Sequence, residues 1–421
     1  MKFAHLADTH LGCWKDDSLN KLAIQTFDKV MQDILEAKVD FILISGDLFD
    51  SSYPKIDILK ETARILREVR DAEIPIYIIA GSHDYSPTDK TILKVFESAG
   101  LLIDVFKAGY TDENKIKLEF TEDQATGAKI TGILGRTQGT DVGLYQELDR
   151  DSLEQEEGVK IFLFHNAITE LRTKETEFYE SFPQSLLPKN FAYYAGGHIH
   201  KPSVLSEGPY TEPLILYPGC LFPTEFREVE AAEFGGFYII GTDEEGRMIV
   251  QKRVVHLFDV CALSYNADGK SLETVAGELT GLIDSTEMDG KIVTLRVEGE
   301  MVSGSPAAIN FRDLNEQAYK NGALNFMRNT QKFTSKNSVI KKPPIGKSRA
   351  EIEEKVIQEN IGQIKVSWWD QAKEASIITD LLAKCSQRRS GDQNVGDYKA
   401  EKVDLFLQIL GIKSIWEESE E

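Results

Sequence analysis

Cysteine is scarce in this 421-residue chain: Cys13, Cys220, Cys261 and Cys385 stand far apart, with no CxxC pair among them. Neither a disulfide framework nor a zinc knuckle is expected, and a reducing cytoplasm suits such a chain. No apolar run approaches the ~20 residues needed to span a bilayer. The opening Met1-Lys2-Phe3-Ala4-His5 also lacks the apolar core of a signal peptide. The sequence therefore predicts a soluble, cytoplasmic protein with no membrane role. A basic surplus is missing too. Lys and Arg number 48 against 69 Asp and Glu, a net charge of −21. A general basic surface for polyanions is excluded, so binding nucleic acid would need local patches or metal ions. There is no GxxxxGK[ST] loop and no credible GxSxG elbow, which removes P-loop nucleotide hydrolysis and serine catalysis.

What is present is a globular balance, 41% hydrophobic and 28% charged, in a chain long enough for two or three domains. Six short apolar runs read as strands: Phe3 to Ala7, Phe41 to Ser45, Ile76 to Ala80, Ile161 to Phe164, Phe191 to Ala195 and Leu214 to Tyr217. Between the early ones, Leu22, Phe27, Val30 and Ile34, then Ile56, Leu59, Ala63, Leu66 and Val69, recur at helical spacing. Strand alternating with helix means an α/β sheet, whose ligands collect beyond the carboxyl ends of the strands. Residues 257–335 read as a smaller α/β unit, with helices near Leu272 to Ile283 and Phe311 to Tyr319 around a strand near Ile292 to Val297. A basic linker, 336–350, follows, carrying Lys336, Lys341, Lys342, Lys347 and Arg349 without an acidic residue. It suits either a solvated tether or contact with phosphates. Residues 351–421 read as helical. Amphipathic stretches with Ile378, Leu381 and Leu382, then Val403, Phe406 and Leu407, have little core of their own and call for a docking surface.

Chemistry concentrates at the histidines. Of seven, His10, His83, His165, His198 and His200 directly follow predicted strands. Asp8-Thr9-His10 and His198-Ile199-His200 each place two ligands on one side of an extended segment, because residues i and i+2 of a strand point the same way. Gly46-Asp47 adds a carboxylate whose two oxygens can bridge two cations. A mixed His and carboxylate set around two metals about 3.5–4 Å apart is suited to phosphate-ester hydrolysis. Imidazole with carboxylate suits manganese, iron or zinc better than calcium, with manganese first.

These ordered motifs, Asp8-Thr9-His10, Gly46-Asp47, Gly81-Ser82-His83-Asp84, His165 and Gly197-His198-Ile199-His200, resemble those of calcineurin-like metallophosphoesterases. Within that superfamily, His5-Leu6-Ala7-Asp8-Thr9-His10-Leu11-Gly12 and Ser45-Gly46-Asp47-Leu48-Phe49 are similar to the meiotic-recombination-eleven nuclease of double-strand-break repair, in its archaeal form, and to bacterial SbcD. The resemblance implies an α/β fold: a metallophosphoesterase β-sandwich flanked by helices, with a smaller α/β capping domain and a C-terminal helical docking element. The domains would be 1–256 (phosphoesterase), 257–335 (cap), 336–350 (linker) and 351–421 (helical segment). It implies two Mn2+ ions per subunit, with Fe, Zn or Mg as alternatives. Asp8, His10, Asp47 and His200 would hold one; Asp47, Ser82, His165 and His198 would hold the other. His83 would be the proton donor, with Asp84 orienting it. The implied activity is 3′ to 5′ exonuclease and single-strand endonuclease action on DNA, near the nucleoid of a prokaryotic cell. The implied partner is an SMC-like ABC ATPase of the RAD-fifty/SbcC type, bound through the C-terminal helices. A homodimer would form through Ile58, Leu59, Ile65, Ile92, Val95 and Phe96. Two positions depart from the pattern. Ser82 stands where the family usually has Asn, which loosens the second metal site, and Asp50 stands where this nuclease family often has His. Asp50 also suits the alternative reading, a metallophosphoesterase acting on nucleotides or cyclic diesters. Ser82 motivates a third, a scaffold with a decayed site.

Overall fold

Apolar runs broken by helical periodicity should build a layered α/β domain, and the computed structural model of the chain has that architecture. It describes residues 1–86, 91–136, 142–172, 180–205, 214–233, 235–243, 245, 247–336, 357, 361, 370–385 and 395–410. The basic linker beyond Lys336, and the helical positions Ile352, Val356 and Ile364, lie outside the described residues.

The chain begins β1 (Lys2–Leu6), α1 (Asp17–Ala37), β2 (Phe41–Ser45), α2 (Ile56–Asp71), β3 (Ile76–Ile79), α3 (Ile92–Ser98) and β4 (Ile103–Asp104). A short antiparallel pair, β5 (Ala108–Tyr110) and β6 (Ile116–Leu118), precedes β7 (Thr121–Glu122) and β8 (Lys129–Ile133). Next come α4 (Val142–Gln146), α5 (Arg150–Gln155) and β9 (Lys160–His165), then the paired β10 (Ala167–Ile168) and β11 (Ser181–Phe182). The segment closes with β12 (Tyr193–Gly197), β13 (Ser203–Leu205), β14 (Leu214–Tyr217), α6 (Phe226–Glu230), β15 (Gly236–Thr242) and β16 (Met248–Val254).

These strands form two six-stranded sheets, ordered β16-β15-β1-β2-β3-β4 and β13-β14-β12-β9-β8-β7. Their centres are parallel; β15 and β16 at one side of the first sheet, and β13 and β7 at the two edges of the second, run antiparallel to their neighbours, while the edge strand β4 is parallel to β3. Strand alternation explains the layers. Phe3, Phe41, Leu43 and Tyr77 of the first sheet meet Ile161, Leu163, Tyr193 and Leu216 of the second in one shared core. The alternate residues Ala4, Leu6, Ile42 and Ile44 pack on Phe27, Val30, Ile65 and Leu66 of α1 and α2. The far face of the second sheet buries Phe162, Phe164 and Tyr217 against Tyr145, Leu153 and Phe182. The result is a β-sandwich flanked by helices, whose central strands are mostly apolar because both faces are covered.

The same core overturns the expected dimer patch. Ile58, Ile65 and Phe96 are buried in the chain's own helix–sheet layer, and Leu59 and Ile92 pack on it. Only Val95 of the six is largely exposed, at 59%.

Beyond β16, β17 (Asp259–Asn266), α7 (Leu272–Ser285), β18 (Lys291–Met301), α8 (Phe311–Lys320), β19 (Asn325–Asn329) and β20 (Phe333–Ser335) form a separate parallel sheet. It has its own core of Val275, Leu279, Val293, Leu295 and Leu314. This layer seats on α1 and α6 through Ile292 against Leu19, Phe222 and Val229, and through Arg296, which donates to Glu230 at 2.8 Å. The chain divides into two compact units, Met1–Ser338 and Val339–Glu421. In the second, helices Gln371–Cys385 and Val395–Leu410 are joined by Lys402 Nζ donating to the carbonyl of Lys384 at 2.7 Å. Among the described residues, no helix is long and apolar enough to cross a membrane.

Candidate metal centre

Every nominated side chain lies at or just past the carboxyl end of a strand. Asp8 and His10 follow β1, Asp47 follows β2, Ser82, His83 and Asp84 follow β3, His165 ends β9, and His198 and His200 follow β12. The first three strands belong to one sheet and the last two to the other. Past the sheet, the β1 and β2 loops run side by side: the Asp8 amide donates to Gly46 O at 3.1 Å and the His10 amide to Asp47 O at 3.0 Å.

The ligand pairs do not arise as strand alternation suggested. β1 ends at Leu6 and β12 at Gly197, and the backbone then turns into left-handed conformations at Asp8 (φ 52°), His10 (φ 42°) and His198 (φ 87°). Asp47 is likewise left-handed, with φ 52°. Such strain costs on the order of 1–3 kcal/mol per residue and persists where surrounding contacts impose it. Here those contacts are the turns that aim the ligands. Gly46, at φ 89°, leaves room for the His165 ring, which a Cβ would strike. The two imidazoles after β12 consequently part company. His198 packs on His165, ring centroids 5.3 Å apart, while His200 reaches His10, with Nε2 to Nε2 only 3.2 Å.

The donor set fits metal ions. His10 Nδ1 faces Asp50 Oδ1 at 3.1 Å and His200 Nδ1 faces Glu228 Oε1 at 2.9 Å. Carboxylate acceptors place hydrogens on both Nδ1 atoms, so both Nε2 atoms present lone pairs to each other. His165 repeats the pattern: Nδ1 bonds the Ser45 carbonyl at 2.8 Å, and its buried Nε2 lies 3.0 Å from Asp47 Oδ2 without a hydrogen bond. Asp47 Oδ2 is also 3.6 Å from His10 Nε2, which puts this carboxylate between the two sets of imidazoles. Lone pairs facing lone pairs at such distances need a proton or a cation between them. Asp8, His10 and His200 converge as one potential metal cluster, and Asp8, Asp47 and His165 as another.

Electrostatics follow from burial and these neighbours. Against the penalty of burial, Asp47 and Asp8 carry His165 up to about 10. His10, opposed by the same penalty, rises to about 9 through Asp50, Asp47 and Asp8. Burial and then His165 press His198 down to about 3. Asp47, despite its burial, is held well below the ordinary carboxylate range by His165 and His10. Burial raises Asp8.

Ser82 Oγ donates to Asp47 Oδ2 at 3.4 Å, which places it beside the shared carboxylate. His83 is 46% exposed, and its ring stands edge-on to His10 at 4.7 Å. Its orientation needs a correction. The Asp84 carboxylate is buried and accepts the amides of Leu48 at 3.1 Å, Phe49 at 3.0 Å and Gly81 at 3.2 Å. Asp84 shapes the Asp47 loop, and burial with the nearby Asp47 charge raises its pKa to about 6. His83 is oriented by Asp50, through Nδ1 at 3.0 Å from its carbonyl and 3.4 Å from Oδ1. Two residues outside the nominated ligand set also belong to the site. Glu228 backs His200, and buried His5 bonds Tyr193 at 2.8 Å and, at 2.9 Å, the hydroxyl of Ser45, the residue whose carbonyl meets His165.

A family model described as calcineurin-like phosphoesterase matches residues 1–202. Among curated proteins, the chain is similar to the DNA double-strand break repair protein Mre11 of Methanopyrus kandleri, 27% identical over 58% of this chain and 55% of that one. It is similar to the protein of the same name from Archaeoglobus fulgidus, at 28% over 54% and 52% respectively. A third such relative, from Sulfolobus acidocaldarius, is 26% identical over 71% of this chain and 75% of its own. The chain spans about half the length of the first two relatives it matches. Asp8, His10, Asp47, His165, His198 and His200 all lie inside the segment that the calcineurin-like phosphoesterase model matches, and over that segment the chain is similar to archaeal Mre11 proteins.

Proposed function

We propose that this chain is a two-metal DNA nuclease, a 3′ to 5′ exonuclease and single-strand endonuclease that processes double-strand breaks with an SMC-like ABC ATPase. The observation that carries the reading is Asp47 Oδ2, 3.0 Å from His165 Nε2 and 3.6 Å from His10 Nε2, one carboxylate between two groups of imidazoles. Asp8, His10, Asp47 and His200 would hold one cation, and Asp47, Ser82, His165 and His198 the other, with manganese as the first choice. When bound, such a pair activates a water and neutralises charge on the phosphate. The chain's own part is positional. The Asp47, Asp8 and His198 loops are pinned by the Asp84 and Asp8 carboxylates, Asp8 accepting the His198 amide at 2.9 Å. His83, half-exposed and held at Nδ1 by Asp50, can deliver a proton from Nε2 to the leaving oxygen. A chain of net charge −21 then meets phosphates through its cations and local patches rather than its general surface. The terminal helices would grip the ATPase. The homodimer, if formed near α2 and α3, would use exposed Tyr53, Ile56 and Val95 in place of the buried residues.

The test compares labelled duplex DNA with a small phosphodiester, in Mn2+ and in chelator, for wild type and His83→Ala. Manganese-dependent shortening of DNA is expected, and the substitution should lower it about 10²- to 10⁴-fold while metal binding stays near normal. Turnover of the small diester alone would favour the nucleotide or cyclic-diester reading instead.

A further inference from the structure

We propose that Glu228 is a positioning residue that fixes the tautomer of His200 and makes the cation site of Asp8, His10, Asp47 and His200 the tighter of the two. The proposal rests on the two-metal reading above. Glu228 lies on α6, and its two oxygens are committed differently. Oε1 takes the His200 Nδ1 hydrogen at 2.9 Å. Oε2 accepts the Thr224 amide at 2.7 Å, the Thr224 hydroxyl at 2.9 Å and the Glu225 amide at 3.3 Å. With donors on both oxygens the carboxylate is an acceptor, so the hydrogen of His200 sits on Nδ1 and Nε2 is left for the cation.

The helix is itself anchored. Two residues on, Glu230 accepts from Arg296 Nε at 2.8 Å, and the Arg296 guanidinium lies 5.3 Å from the centre of the Phe226 ring. The helix therefore cannot carry Glu228 away from His200 without disturbing the contact between α6 and the β18 layer. Cys220 also lies close to His200 and Glu228, but burial holds its thiol protonated, and Oε2 of Glu228 is already occupied. A third metal site there is unsupported.

The two cation sites differ in what stands behind His10 and His200 in one and His165 in the other. His10 and His200 each lean on a carboxylate, Asp50 at 3.1 Å and Glu228 at 2.9 Å. His165 leans on the neutral carbonyl of Ser45 at 2.8 Å. A charged acceptor makes the far nitrogen a stronger donor to metal, so the site of His10 and His200 fills first.

The experiment is a calorimetric titration of Mn2+ into the metal-stripped full chain, with metal-free thermal unfolding recorded alongside. Wild type should show two classes of site. In Glu228→Gln the tighter class should weaken about 10- to 100-fold, while the other moves less than about threefold and the metal-free Tm stays put. If Gln unsettles the helix, Glu228→Asp keeps the contacts to Thr224 and Glu225 while drawing back from His200, and the same selective loss is expected. Equal weakening of both classes, an unchanged titration, or a metal-free Tm that falls in both variants overturns the role of Glu228 alone. A wild-type chain that takes up no Mn2+ overturns both this role and the two-metal reading.

Discussion

Ser82 is a residue at which this chain departs from the motif pattern it resembles, and its geometry shows what the change does. The hydroxyl sits 3.4 Å from Asp47 Oδ2 and donates to it, so the position beside the shared carboxylate is occupied but the side chain is short. An Asn there would reach farther and offer a carbonyl oxygen, a better partner for a hard cation than a hydroxyl. Ser82→Asn should therefore tighten the weaker class of Mn2+ site by about tenfold and leave the tighter class alone. Calorimetric titration checks this, and unchanged affinity would place Ser82 outside the ligand sphere. Asp84 makes a second case at this scale. It is an acceptor for the amides of Leu48, Phe49 and Gly81, and Asn in its place would turn an NH2 group toward at least one of those donors. Asp84→Asn should destabilise the fold by about 1–3 kcal/mol, read from denaturant midpoints. It should also loosen Mn2+ binding through the Asp47 loop, although the residue touches no ligand atom.

Among the elements, legibility tracked burial. β1, β2, β3, β9, β12 and β14 stood out in the sequence because both faces of each are covered, which leaves unbroken apolar runs. β16 did not, since the consecutive Gln251, Lys252 and Arg253 interrupt its apolar residues on an edge strand, and β8 was hidden by Gly132 and the polar Lys129. The histidine and aspartate clusters were legible for a chemical reason: few folds need that many ligands at strand ends. Glu228 was not, because Glu225-Phe226-Arg227-Glu228 looks like any charged helix turn, and its meaning appears only when α6 folds against His200. His5 opened a motif but showed no role of its own there, one polar residue within an apolar strand. It ties β1 to β2 through Ser45 and to β12 through Tyr193, and burial pushes its pKa down to about 3. A group whose folded pKa is depressed favours the fold above its unfolded value of about 6.5 and loses that contribution as pH falls toward 3. Wild type should thus lose about 2 kcal/mol more than His5→Gln between pH 7.5 and pH 5. Parallel urea titrations at the two pH values decide it, and equal slopes would mean that His5 is protonated in the fold.

At the scale of the whole molecule, the division after Ser338 leaves all of the nominated chemistry on one side. Every nominated ligand, His83 with its Asp50 support, Glu228 and the β17–β20 layer lie in the first unit, which holds the large apolar cores. In the second, Ile377 is buried, but Leu382 and Val403 are 43% and 55% exposed, a poor basis for independent stability and a reasonable one for contact with another chain. A chain ending at Ser338 should accordingly fold with a metal-dependent rise in Tm equal to that of the full chain, and should retain Mn2+-dependent cleavage of simple DNA substrates. The same truncation should abolish co-purification with an SMC-like ATPase, because the helices Gln371–Cys385 and Val395–Leu410 go with it. Thermal unfolding with and without Mn2+, a nuclease assay and a pull-down read the three outcomes separately. Retained co-purification would move the docking surface into the first unit, whereas loss of the metal-dependent Tm rise would mean that residues after Ser338 support the site.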